Sequence, residues 1–299
     1  MQGKGCHASR PHPKRPFEGH HATSGAPVHD FDPGYGREPY ASLVRRHPGD
    51  ETYPSGDFRT EWGPVFHRGR LDGTAKVLVI GQDPAAHEAI ARRILVGTAG
   101  RRVQGFLAKL GVTTGYTMVN TYLYSVYGQH GGNAHAHDQA IADYRNAWLD
   151  AVMADNDIHA VVALGSLADT AYQAWKSTSP HGTSYTGAYR HIIHPTYPDS
   201  AAASGTDRAQ AMAKMLADWN AALDALADAV PNPDTPTPLV RYGSDLTPAD
   251  LAVIPEADLP PGLPAWMRSD EPWASRQGAT PAEKRATILV QIPVDERPA

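Results

Sequence analysis

The sequence predicts an α/β protein: a three-layer α/β/α sandwich around a central, mainly parallel, four-stranded sheet. Three observations lead there. Short apolar, β-branched runs alternate with longer stretches of helical period, the pattern of parallel strands joined by covering helices. Two of the runs, "VLVIG" and "VVALG", are apolar at every position, as expected of strands buried on both faces. The strands are also too few for a large barrel, so the sheet should stay open.

Residues 1–35 are rich in His, Pro and Gly and poor in aliphatics, and disorder is expected there. Their start, "MQGKGCHASRPHPKRPFEGHH", has no apolar core and does not read as a secretory signal. Residues 40–73 carry scattered apolar side chains and turn signals and should wrap the domain edge. "KVLVIG" is the first strand, and "AAHEAIARRIL" and "RRVQGFLAKLG" are helices, the second closed by Gly111. "YTMVNTYL" is the second strand, followed by the amphipathic helix "DQAIADYRNAWLDAVMAD". "IHAVVALG" is the third strand, and "SLADTAYQAWK" is a helix with Ser166 as its expected N-cap. "YRHIIH" closes the sheet, and "DRAQAMAKMLADWNAALDALADAV" is a long covering helix.

The domain should run over residues 36–230, with its core at 76–202. "PNPDTPTP" reads as a linker, and residues 231–299 form a Pro-rich extension. Trp266, Trp273 and the strand-like "RATILVQIPV" make it too apolar for plain disorder, so it is expected to pack on the core.

The chain of 299 residues has a net charge of −5, which argues against a generally basic nucleic-acid binder. The charge is uneven, however. Residues 59–109 hold nine Lys/Arg against four Asp/Glu, or +5, and residues 231–299 hold six against ten, or −4. A local basic face can bind phosphates on an acidic chain. No run of eighteen apolar residues occurs, so no membrane span is expected. The single cysteine, Cys6, leaves no internal disulfide and no clustered Cys metal site. A cytoplasmic location is the expectation.

In open parallel sheets ligands bind beyond the carboxyl ends of the strands. Polar residues stand at three of those ends. Gln82 and Asp83 follow the first strand, Asn120 ends the second and His194 ends the last. Each alone has a plain structural explanation: a helix cap, a turn former, a packed imidazole before Pro195. Converging on one crevice, an acid, an amide and a histidine can break a bond and read a planar ligand.

Five segments, "VLVIGQDP", "LVGTAGRRVQGFLAKLGV", "YTMVNTYLYSVYG", "VVALG" and "HPTYPDS", resemble the uracil-DNA glycosylase superfamily in order and spacing, over roughly Lys76 to Ala202. The first is similar to G-Q-D-P-Y of the best-known branch. "VGTAG" is similar to F-V-G-x-A-G of the iron–sulfur branch, and "HPT" to H-P-S. The resemblance implies a monofunctional DNA glycosylase of base excision repair. It would act as a monomer on DNA containing a damaged base, most simply uracil, flipped into a pocket. It implies that Asp83 and His194 are catalytic. Asp83 would stabilise a cationic sugar and orient water, and His194 would stabilise the departing base. It implies that Gln82, Ala85, Leu95 and Asn120 surround the base. Gly97, Arg101, Arg102, Pro195, Thr196 and Tyr197 would meet DNA, the two arginines at phosphates and Tyr197 as a wedge. No metal and no organic cofactor is implied.

The chain departs from the pattern at three points. Ala85 stands where the best-known branch has an aromatic, Leu95 stands where a Phe stacks on the base, and the cluster-binding cysteines are missing. These leave two other readings open: a glycosylase for another base, such as hypoxanthine or a modified pyrimidine, and a catalytically weak DNA-binding member of the fold. The loop "YGQHGGNAHAHDQ" adds His130, His135 and His137, which read as a polar loop. A metal site, or the covalent sugar bond that one branch makes through a loop His, are the alternatives.

Overall fold

The computed structural model describes residues 34–128, 131–269 and 272–297. The segment 1–35, expected to be disordered, lies outside them but for its last two residues. The elements run α1 Tyr40–Arg45, β1 His67–Gly69, β2 Val77–Gly81, α2 Ala86–Ala91, α3 Thr98–Lys109, β3 Tyr116–Asn120 and α4 Gln139–Asp155. They continue with β4 Ala160–Leu164, α5 Ser166–Thr178, α6 Pro180–Ser184, β5 Ala188–Ile192, α7 Tyr197–Ala203 and α8 Arg208–Leu226. The extension adds β6 Ala274–Ser275, α9 Pro281–Ala286 and β7 Leu289–Val290.

The sheet order is β1-β3-β2-β4-β5. β2, β3, β4 and β5 are parallel, and β1 pairs antiparallel with β3. The sheet therefore has five strands rather than four. The extra one comes from the segment expected only to wrap the edge. "HRG" carries no apolar alternation; its backbone becomes a strand because β3 offers it a free edge.

Period-2 alternation within all-apolar strands builds the three layers. Val77 and Val79 of β2 face α3 and α8, packing with Phe106, Leu107, Met215 and Trp219. Leu78 and Ile80 face α4 and α5, packing with Trp148, Leu149, Tyr172 and Trp175. Three local expectations shift. Ser166 is the first helical residue of α5, and the N-cap is Gly165 at φ +84° with no side-chain cap. α2 stops at Ala91, because Arg92 turns left-handed. In "RATILVQIPV" only Leu289 and Val290 are strand, and its first residues belong to α9 or the turn after it.

The chain leaves β2 to β3 on one side and returns to β4 on the other. β2 thus sits at a topological switch, where the flanking loops part and open a crevice at the carboxyl edge. The extension folds along the α2 side of that edge. Trp273, Ala274, Ile254 and Leu259 pack with Ala86, Ala91 and Val96. Asp258 anchors it further in, fully buried against Arg68 at 2.9 Å and Arg70 at 2.7 Å.

Candidate active site

The crevice is a cleft of about 1350 Å³, and the carboxyl ends of β2, β3, β4 and β5 all open into it. Gln82, Asp83, Ala85, Leu95, Asn120, His194, Thr196 and Tyr197 line it together. They arrive from four separate stretches of chain.

The turn after β2 is locked to the end of β3. The Gly81 carbonyl accepts from both the N–H and the hydroxyl of Thr121, each at 2.9 Å, and the Gln82 carbonyl accepts from Tyr122 N–H at 2.9 Å. Parallel pairing thus extends past the strand and holds Asp83 rigidly. Its Oδ2 accepts the Val126 N–H at 2.9 Å, and the Gln82 side chain bonds it as well. Burial pushes the Asp83 carboxyl up to about 6. Those two hydrogen bonds and the nearby Arg276 oppose the rise, and the Glu88 carboxylate adds to it. A β-carbon at Gly81 would push the Asn120 side-chain carbonyl out of its place.

His194 is positioned from behind by α8. The preceding Ile193 donates its N–H to Asp218 at 2.7 Å and accepts from the Trp219 indole at 2.8 Å. The His194 side chain also lies close over Gly165, where an added β-carbon would crowd it. On the other side of the ring, Nδ1 meets the Thr196 hydroxyl at 2.9 Å and the Thr196 N–H at 3.3 Å. A backbone N–H can only donate, so Nδ1 accepts and Nε2 carries the proton. Burial pushes the imidazole down to about 4, which keeps it neutral.

Four of the expected DNA contacts stand elsewhere. Arg102 lies on the core face of α3, one turn before Phe106, and is 6% exposed. It donates to the Pro195 carbonyl at 2.5 Å and to Asp199 at 3.0 Å, so it braces the loop after His194 instead of meeting a phosphate. Pro195 is buried beneath that contact. Arg101 is half-buried off the cleft, and its carbonyl accepts from Ala252 of the extension at 3.3 Å. Gly97 caps α3 but is buried under the His87 ring. His87 in turn packs edge-on against Trp273 and accepts the Ala274 N–H at 3.2 Å. Of the loop histidines, His135 is held between Asp138 at 2.9 Å and Asp57 at 3.2 Å. His137 is exposed and off the cleft, and His130 lies outside the described residues.

Sequence reading missed several residues of the cleft. Glu88, buried at 7%, accepts the Ala85 N–H at 3.1 Å and the Val96 N–H at 3.2 Å, tying the turn after β2 to the loop that carries Leu95. Its position three residues after Ala85 is the spacing of a capping carboxylate, a readable signal. Leu95 itself is buried with a left-handed backbone at φ +54°. Tyr127 carries two guanidinium groups on its ring, Arg59 at 4.3 Å and Arg285 at 4.1 Å. The buried Arg59 also donates to the Arg285 carbonyl at 3.0 Å. Arg276, Lys284 and Arg285 of the extension line the cleft, and nothing local in their sequence points there.

No curated protein sequence matches the chain. The family model described as the Uracil DNA glycosylase superfamily matches residues 68–222, 155 of the 299 residues, and it takes in all of β1 but His67, the four parallel strand ends and the whole carboxyl edge described above. With more than half its length matched, the chain belongs to the uracil-DNA glycosylase superfamily, whose members act on DNA as glycosylases.

Proposed function

We propose that the protein hydrolyses the N-glycosidic bond of a damaged base flipped out of DNA, with uracil as the first substrate. The observation that carries this reading is the convergence of Asp83, Asn120 and His194 on one cleft, with Asp83 half-buried and His194 held neutral.

The chemistry follows from where charge develops. As the bond between sugar and base lengthens, its electron pair leaves with the base, and the sugar becomes cationic. Asp83, ionised above about pH 6, faces the cation and takes a proton from the water that adds to the anomeric carbon. His194 donates Nε2–H to the base oxygen that gathers negative charge. A neutral imidazole suits this role, since it stabilises the anion without giving up its proton. Such preorganised groups each lower the barrier by about 3–4 kcal/mol. Asn120 presents an amide, donor and acceptor together, to the base edge.

The test is a panel of labelled oligonucleotides, each with one altered base, scored for alkali-labile breaks. Cleavage at deoxyuridine supports the reading. Ala85, exposed at the cleft, and the aliphatic Leu95 favour a second reading, a larger or modified base. It takes over if hypoxanthine or a substituted pyrimidine is released and uracil is not. Tight DNA binding without any cleavage would leave a binding protein.

A further inference from the structure

The C-terminal extension is acidic as a whole, yet three of its cations line the cleft and, among the described residues, none of its carboxylates does. Six Lys/Arg stand against ten Asp/Glu in residues 231–299. Five of those acids are engaged away from the cleft. Asp234 accepts three backbone N–H groups of residues 113–115. Asp250 pairs with Lys109 at 2.7 Å, and Glu256 with Arg268 at 3.6 Å. Asp258 is buried on Arg68, and Glu283 caps its own helix. Arg276, Lys284 and Arg285, half of the extension's basic residues, face the cleft instead. Among the described residues none of the three has a carboxylate within ion-pair distance, and all three are exposed.

Their placement is built, not incidental. The Arg59 guanidinium, 1% exposed, is aimed at the Arg285 carbonyl and holds α9 over the mouth. Tyr127 supports the Arg285 side chain. The same extension packs Trp273 and Ala274 on His87, whose ring lies over Gly97. Lys214 of α8 also lines the cleft, its ammonium near the Tyr197 ring at 5.6 Å. A cleft of about 1350 Å³ exceeds what a single base needs, leaving room for backbone beside it.

From this arrangement we infer that the extension is a strand-holding element: Arg276, Lys284 and Arg285 bind the phosphates flanking the nucleotide whose base enters the cleft. The inference rests on the glycosylase reading and adds to it a contact surface that the matched domain, ending at residue 222, does not contain. Because the contacts are to phosphate, they serve any sequence and are lost with salt.

The experiment compares two triple variants in an Asp83→Asn background, binding a labelled strand with one deoxyuridine, alone and annealed. The first is Arg276→Gln, Lys284→Gln, Arg285→Gln. The second, Arg241→Gln, Arg268→Gln, Arg297→Gln, removes equal charge from the same extension away from the cleft. The first should weaken binding about tenfold to a hundredfold and lower the slope of log K against log salt by about two to three. The second should leave the slope as it was, and melting temperatures of both confirm folding. Equal slopes in both triples and the parent, or equal losses in the two triples, would overturn the inference. If the wild type cuts deoxyuridine strands while the slopes are unchanged, the inference alone falls. If the wild type neither cuts nor binds any strand, the glycosylase reading falls with it.

Discussion

The carboxyl edge of the sheet and the C-terminal extension wall the same cleft, but they are made differently. The sheet edge is held by regular pairing. Val77–Gly81 register with Tyr116–Asn120 over their full length, and all four parallel strands end at one level. In its described residues the extension has two-residue strands, one short α-helix and several single 3-10 turns, and is held by one small apolar cluster and by single polar contacts buried deep. Asp258 touches Arg68, Arg70 and the Tyr116 hydroxyl, and Arg59 touches the Arg285 carbonyl. The contrast teaches where each kind of order comes from. A strand edge carries catalytic groups with little tolerance for movement. An extension pinned at a few buried charges can present others on a less regular frame.

The comparison breaks most visibly at Asp258. Asp258→Ala would leave Arg68 buried without its carboxylate, and removing one partner of a buried pair costs about 3–5 kcal/mol. Because Arg68 lies in β1, the loss should lower the melting temperature of the whole domain as well as loosen the extension. An unchanged thermal midpoint would show the two regions to be independent.

Next in size come the edge residues. Asp83→Asn and His194→Ala should each slow single-turnover excision by at least about a hundredfold, with DNA affinity little changed, since both act where charge develops. Loss of affinity in step with rate would make them binding groups instead.

Arg102 sharpens the distinction between bracing and binding. Arg102→Met should slow excision about tenfold by freeing the loop that carries Thr196, on the scale of about 1–2 kcal/mol for a lost charged hydrogen bond. It should not change the salt slope, in contrast to the three cations of the extension. A flattened slope would return Arg102 to the phosphate-binding role.

The smallest effect is a shift in pH dependence. The carboxylate form of Asp83 is the active one, so the rate should fall about tenfold per pH unit below about 6 and level off above it. His194, pushed down to about 4, should add no second limb between pH 5 and 8. Glu88→Gln removes a neighbouring negative charge that raises Asp83, so the midpoint should move to lower pH. A midpoint that stays put, or moves up, would deny Glu88 its influence on the edge.

The parallel sheet and the positions of its carboxyl ends are legible in the residues alone. Val, Ile and Leu runs of strand length specify burial on both faces through local periodicity, which needs no knowledge of distant partners. Gln82, Asp83, Asn120 and His194 were legible for the same reason, since each stands directly after such a run. The remainder depends on contacts between distant segments. β1 exists because β3 offers an edge and Asp258, 190 residues away, neutralises Arg68. The α3 register turned Arg102 inward although its neighbours in sequence suggested a basic surface. Arg276, Lys284 and Arg285 reached the cleft through contacts with Arg59, Tyr127 and His87, none near them in the chain. Charge acts through space and leaves no period in a sequence, so which cations face a substrate is settled by packing alone.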